Sequence, residues 1–225
     1  RKLCRIDGIE WIRLHYTYPA HFPMDVIDVM AEEPKICKYL DIPFQHVSDP
    51  TLVSMRRGIT GGETQQLIET IREKIPGIAL RTTLIVGYPT ETEEQFGELM
   101  DFVRRNRFDR LGVFPYSHEE GTHAGEALAD SIPQQEKERR VDAVMSLQAA
   151  ISEENNEKRR GETLRVIIDR LEDRYYIGRS EYDSPEVDQE VLICADDLRL
   201  EIGSFCRVKI VKTDNYDLFG VPVEA

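Results

Sequence analysis

The chain has 225 residues, 40% of them hydrophobic, and a formal net charge of −13. That length carries one large domain or a medium domain with a small one, and no run approaches the ~18–20 apolar residues of a membrane span. The acidic balance disfavours broad phosphate-backbone binding, which needs clustered Lys and Arg, and suits a basic partner, although solubility alone also accounts for it.

Trp11 to Tyr18 reads as a strand, with Ile12, Leu14, Tyr16 and Tyr18 on an apolar face and Arg13, His15 and Thr17 on a polar one. Pro19 and Pro23 bracket a turn, and a helix carrying Val26, Ile27 and Met30 precedes Pro34. The next strand is predicted over Cys37 to Phe44, ending in Gln45-His46-Val47-Ser48-Asp49-Pro50. Ser48 is placed to cap a helix with Pro50 in its first turn. Leu52 and Met55 form its buried side, Arg56 and Arg57 close it and Gly58 ends it. A lone histidine is usually structural, but His46 beside Gln45 at the carboxyl end of a strand is a candidate for substrate contact.

A helix from about Glu63 to Ile75 shows Leu67, Ile68, Ile71 and Ile75 on one face and stops at Pro76-Gly77. The run Leu80 to Gly87 that follows is apolar, β-branched and without clear alternation, which predicts a strand buried on both faces. Gly87 and Pro89 end it, and Thr92-Glu93-Glu94-Gln95 has the form of a capping box opening a helix with Phe96, Leu99, Met100 and Val103. Asp109 to Tyr116 is a further strand, and after the loop Glu119-Glu120-Gly121-Thr122 a long helix runs from Ser131 and Pro133 to about Arg160. Four strand-then-helix units predict parallel β/α architecture. In such sheets ligands bind at the carboxyl ends of the strands.

Composition changes at Gly161. Thr163–Leu171, Tyr175–Glu181, Glu190–Ala195, Phe205–Thr213 and Leu218–Val223 are five short β-rich runs with no helix between them, the pattern of a small antiparallel OB-like barrel. The expected domains are therefore residues 1–160 and 161–225. From Arg159 onward ten Lys and Arg face fifteen Asp and Glu, a net of −5. A barrel built to hold RNA is normally basic, so nucleic acid is disfavoured as the main ligand.

Cys4, Cys37, Cys194 and Cys206 make no C-x-x-C pair or other metal-ligand spacing, and read as reduced thiols of a cytoplasmic protein. No residue in the chain is a candidate metal ligand. No signal peptide is visible, and a chain opening at Arg1 without methionine reads as a fragment.

Three motifs carry a resemblance. Asp41-Ile42-Pro43-Phe44-Gln45-His46-Val47-Ser48-Asp49 with Met55-Arg56-Arg57, Arg81-Thr82-Thr83-Leu84-Ile85-Val86-Gly87-Tyr88-Pro89 with Glu91-Thr92, and Tyr116-Ser117-His118-Glu119-Glu120-Gly121-Thr122 occur in the order found in radical S-adenosylmethionine methylthiotransferases. The terminal β-rich region, with Ser184-Pro185-Glu186-Val187-Asp188, resembles the TRAM domain of that family. Gln45-His46 and Glu119 to Thr122 resemble the RimO-type branch, which adds a methylthio group to the β-carbon of an aspartate in a small-subunit ribosomal protein. The branch acting on a transfer-RNA adenosine typically has Ser-Gly after the glutamine and Arg-Pro-Gly-Thr in the later loop. The resemblance implies a partial β/α barrel lacking its first strands, S-adenosylmethionine, and two [4Fe-4S] clusters in the parent enzyme. The family's C-x-x-x-C-x-x-C run lies upstream of everything present, so this chain is expected to be a carboxyl-terminal piece, inactive alone. Thr90 stands where the family usually has Gly.

By resemblance and side-chain chemistry, Arg81 or Arg13 would pair with the cofactor carboxylate. Thr83 and Gln45 would hydrogen-bond its ribose or methionyl groups. The backbone at Val86 and Gly87 would edge the adenine, Tyr116 would lie near it, and His46 would face the substrate. The alternatives are the transfer-RNA methylthiotransferase, or a non-catalytic module docking on the ribosome. An ordinary barrel hydrolase or aldolase lacks support: there is no nucleophile elbow, no strand-core Lys and no His/Asp ligand cluster.

Overall fold

A computed structural model describes residues 1–196 and 198–223. Strands β1 (Ile12–Leu14), β2 (Ile36–Asp41), β3 (Ala79–Val86) and β4 (Arg110–Pro115) form one sheet in that order, each parallel to its neighbour. Helices α1 (Met24–Glu32), α2 (Asp49–Ser54), α3 (Gly61–Lys74) and α4 (Glu93–Asn106) fill the crossovers, and a short α5 (His123–Ala127) and a long α6 (Gln134–Arg159) follow β4. Helices α3 and α4 start on side-chain caps that satisfy their free N–H groups, whereas Ser48, expected to cap α2, makes no side-chain cap bond there. Thr60 and Glu63 form a reciprocal capping box on α3, and Thr92 and Gln95 form one on α4, with Gln95 N donating to Thr92 Oγ1 at 3.2 Å and Thr92 N to Gln95 Oε1 at 2.9 Å.

The core lies between the sheet and its helices: Leu40, Leu80, Leu84, Ile71, Leu99, Val103, Phe108 and Val144 are all fully buried. Only one face of the sheet is covered in this way. Leu80, Thr82, Leu84 and Val86 of β3 are buried, while Arg81, Thr83 and Ile85 are half-buried. The expectation that β3 is buried on both faces is therefore corrected. The half-buried Arg81 lines a cavity with residues of α6 and of the small barrel, and Ile85 lines the cavity at the strand ends.

The first strand is also shorter than its alternation suggests. It ends at Leu14, and Tyr16 takes φ 54° and is 82% exposed. The chain leaves the sheet there to hook onto the end of β2, where Thr17 N donates to the Asp41 carbonyl at 2.9 Å.

Strands β5 (Thr163–Glu172), β6 (Tyr175–Ser180), β7 (Val191–Cys194), β8 (Phe205–Thr213) and β9 (Leu218–Pro222) close into a barrel of order β5-β6-β7-β9-β8. All pairs are antiparallel except β7 with β9, which is parallel. That corrects the expectation of a purely antiparallel barrel: β9 must slot between β7 and β8 to close the ring, and closure sets its direction.

The small barrel meets the sheet through buried charge. Arg81 pairs with Asp41 at 3.3 Å and with Asp188 at 3.2 Å, and Tyr39 donates its hydroxyl to Asp188 at 2.7 Å. Arg110 donates to Asp183 and to Gln189. The segment between β6 and β7 thus packs against the uncovered face of the sheet near its amino-terminal end. The Trp11 ring meets Phe205 edge-on at 4.8 Å.

Candidate functional site

The carboxyl ends of β2, β3 and β4 frame a cavity of about 350 Å³ lined by Gln45, Ser54, Met55, Arg57, Ile85, Tyr88, Tyr116, Thr122, His123 and Ala124. Its size lies within the range of small-ligand pockets. Four residues past the end of β2, Gln45 forms an isolated parallel bridge with β3, its N–H donating to the Thr83 carbonyl at 2.9 Å and its own carbonyl accepting from Ile85 N at 2.8 Å. Gln45 holds φ at 71°, a costly conformation away from glycine. Its Oε1 is buried without a partner, as is the hydroxyl of Tyr116. The Tyr116 ring meets Tyr88 edge-on at 5.3 Å, and Tyr88 is itself pinned by hydrogen bonds to Ser54.

Arg57 supplies the pocket's cation. Its Nη2 donates to the Pro43 carbonyl at 2.6 Å and its guanidinium lies 4.7 Å from the Tyr18 ring centre. Its Nε is buried and unpartnered, and among the described residues it makes no salt bridge. Burial lowers its pKa from the ordinary arginine value. The sequence placed Arg57 as a helix-closing charge and as part of the Met55-Arg56-Arg57 motif, with no ligand role assigned. The signal that identifies it is spatial: an arginine with spare donors beside a glutamine with a spare acceptor.

The turn after β3 is built around Glu91, whose carboxylate is fully buried. It accepts from the backbone N–H of Gly87 and from that of Tyr88 at 3.2 Å, and pairs with Arg140 of α6 at 3.1 Å. His46 Nε2 lies 3.4 Å from it, while His46 Nδ1 accepts from Ser48 N at 3.0 Å. An accepting Nδ1 puts the proton of the neutral ring on Nε2, facing Glu91. Four donors therefore converge on one carboxylate and fix the shape of the pocket rim.

The structure separates the residues singled out from the sequence. Gln45 and Tyr116 line the cavity together. His46 does not line it: it is fully buried, with its ring against Glu91. Val86 points its side chain into the core, and its carbonyl accepts from Tyr116 N at 2.8 Å. Gly87, at φ 71°, approaches the aliphatic stem of Lys137. Thr83 lies one step inside the mouth on the uncovered face of β3. Arg81 lies six residues before Gly87, about 20 Å back along an extended strand, and is held by Asp41 and Asp188. Arg13 donates to the carbonyls of Ser180 and Glu181 at 3.2 Å each. Both arginines thus contact the junction with the small barrel and do not line the strand-end cavity. A second cavity, of about 270 Å³, lies at that junction against Arg81, Arg110, Asp188 and Gln189, away from the strand ends.

The pocket fits the organic part of S-adenosylmethionine: a spare amide acceptor, a spare phenol and a spare guanidinium suit an amine or ribose, a nucleoside edge and a carboxylate. The chain does not fit an iron–sulfur cluster in the same way. The four cysteines are separate free thiols, and among the described residues no three His, Cys, Asp or Glu side chains group to hold a metal.

Residues 1–103 match the radical SAM superfamily and residues 161–223 match the TRAM domain. A protein of Cytophaga hutchinsonii named ribosomal protein uS12 methylthiotransferase RimO is 55% identical over 220 residues, 98% of this chain and 50% of that protein. Proteins of the same name from Christiangramia forsetii and Bacteroides fragilis are each 53% identical, over 98% and 97% of this chain and 49% and 51% of their own lengths. The chain therefore spans about half the length of these curated relatives. A solved structure of coproporphyrinogen III oxidase (HemN) from Escherichia coli, described as a radical SAM enzyme, matches 64% of this chain and 33% of its own with TM-score 0.53 at 22% identity, a likeness of fold. With a radical SAM match over residues 1–103, a closed TRAM barrel and sequence identity running across both, the chain is similar over nearly its whole length to proteins named ribosomal protein uS12 methylthiotransferase RimO.

Proposed function

We propose that this chain is the part of a methylthiotransferase that holds S-adenosylmethionine, and that the complete protein adds a methylthio group to the β-carbon of an aspartate in a small-subunit ribosomal protein. The observation that carries the reading is one strand-end cavity lined by Gln45, Tyr116 and Arg57, two of which keep a buried polar atom without a partner, Gln45 Oε1 and Tyr116 OH. The names of the relatives support the substrate, and a net charge of −13 suits a basic ribosomal protein, free or on the ribosome. A cytoplasmic location follows from that substrate.

S-adenosylmethionine, when bound, supplies a sulfonium able to initiate radical chemistry and to donate a methyl group. The residues of this chain bind and orient it. Arg57 pairs with its carboxylate, Gln45 Oε1 accepts from its amine or ribose, and the Tyr88 and Tyr116 rings wall the adenine and exclude water. Glu91 holds the turn that carries Tyr88. The iron–sulfur clusters, two in the parent enzyme, belong to the part of the protein outside this chain.

The test uses the complete protein, reconstituted with iron and sulfide and given S-adenosylmethionine. It is incubated with ribosomal protein uS12 and, separately, with transfer RNA. The expected result is the mass of one methylthio group on an aspartate of the protein. Modification of an adenosine in the RNA with an unmodified protein would overturn the reading, as would no modification of either.

A further inference from the structure

We infer that Lys137 is a positioning residue for the strand-end pocket, setting both Tyr116 and the 117–132 segment from behind. The inference rests on the reading of that pocket as the S-adenosylmethionine site. Lys137 lies in the first turn of α6 with its side chain only 4% exposed. A buried ammonium is costly to keep charged unless its donors are matched, and a methionine would fill similar space with no charge to desolvate. The ammonium is matched: Nζ donates to the Asp130 carboxylate at 2.6 Å and to the Tyr116 carbonyl at 3.1 Å, and lies 5.1 Å from the Tyr116 ring centre. The stem of the same side chain packs on Gly87, where any Cβ would collide with it.

Those contacts reach two walls of the cavity. The phenol of Tyr116 has no protein partner, so its place is set entirely from the other end of the residue. Its N–H is held by the Val86 carbonyl, its own carbonyl by Lys137, and its ring by Lys137 and Tyr88. The segment beyond it brings Thr122, His123 and Ala124 to the cavity. The far end of that segment is tied down by the Asp130 pair to Lys137 and by Ser131 Oγ donating to the Pro89 carbonyl at 3.4 Å. One side chain that never touches the ligand thus fixes an aromatic wall, the returning segment and the close approach at Gly87.

The test measures S-adenosylmethionine binding to the complete, cluster-loaded protein by equilibrium dialysis, together with protease cleavage within 117–132 and thermal melting. Lys137→Met is expected to weaken binding about tenfold and to speed cleavage in the segment. Lys137→Arg, which keeps the donors, is expected to restore most of both. Asp130→Asn keeps the hold on Tyr116 and is expected to speed cleavage with a smaller loss of affinity. A folded Lys137→Met protein that binds as tightly as the wild type would overturn the inference. Should that variant not fold, Asp130→Asn with unchanged cleavage and affinity would overturn it. A wild type that binds no S-adenosylmethionine defeats the cofactor reading, and cleavage that stays equally slow in Lys137→Met defeats the positioning role independently.

Discussion

Arg81 Nε lies 3.2 Å from Asp188 Oδ1, a strand of the sheet joined to a loop of the small barrel more than a hundred residues later. The side chain of Asp188 is 1% exposed and that of Arg81 20%, and Arg81 keeps Asp41 as a second partner at 3.3 Å. Asp188→Asn is therefore expected to destabilise the protein by less than the ~3–5 kcal/mol of a fully uncompensated buried charge and to loosen the barrel from the sheet. Thermal melting checks the first effect and protease cleavage between the two units the second. An Arg81→Met, Asp188→Leu double variant should not recover the loss, because it strands the buried carboxylate of Asp41 without its arginine and the Tyr39 hydroxyl without its acceptor.

Arg57 should behave differently. Its spare donors face the cavity, and a charge-assisted hydrogen bond to a ligand is worth about 1.5–3 kcal/mol. Arg57→Met is therefore expected to weaken S-adenosylmethionine binding by about 10- to 100-fold, with a modest drop in stability from the lost bond to Pro43. Arg81→Met, at the junction, should leave affinity nearly unchanged. Calorimetric titration of both variants in the complete protein separates the two arginines.

Glu91→Gln keeps the size of the side chain but leaves the side chain of Arg140, 6% exposed, facing a neutral amide. Arg140 keeps Glu136 at 2.7 Å and Glu93 at 3.3 Å, so the expected cost is below the ~3–5 kcal/mol of a buried charge left wholly unpaired, read as a lowered melting temperature. Binding should fall with it, since Tyr88 hangs from that carboxylate. Gly87→Ala is expected to cost at least about 1 kcal/mol, because alanine at φ 71° is strained and its Cβ would strike Lys137.

Acid should strip one part of this support before the rest. Glu136 accepts hydrogen bonds from Arg139 and Arg140, which pull its carboxyl down from 4.5 to about 2. A carboxyl depressed in the folded state stabilises at pH above its ordinary value and loses that contribution as pH falls through the folded one. The contribution of Glu136 is therefore present above pH 4.5 and fades between about 4.5 and 2. Glu136→Gln should reduce stability at pH 7 and flatten that part of an acid-unfolding curve. Curves that run parallel over this window would exclude the effect.

The architecture was legible because it is local. Thr92 with Gln95 announced a capped helix, the repeat of strand and helix announced a parallel sheet, and five β-rich runs announced a barrel. What escaped depends on direction and distance. Gln45 and His46 looked equivalent in sequence, yet with Gln45 at φ 71° one lines the cavity and the other is buried against Glu91. Tyr16 fitted the alternation of a strand, but the carbonyl and carboxylate of Asp41 drew the chain out of the sheet. Arg81 carried the right chemistry for a carboxylate, and the carboxylates it found were Asp41 and Asp188. Arg57 was passed over because a helix-terminal arginine is common, and only its unpaired Nε beside the pocket distinguishes it.

The way the sheet acquires its last partners has a consequence for synthesis. Tyr39, Arg81 and Arg110 emerge well before Asp183, Asp188 and Gln189, which answer them in the finished molecule. During translation the sheet must wait with polar groups unanswered and one face wet. Contacts so distant along the chain delay folding, and an interrupted polypeptide ending before residue 180 would present that face to chaperones, proteases or its own copies.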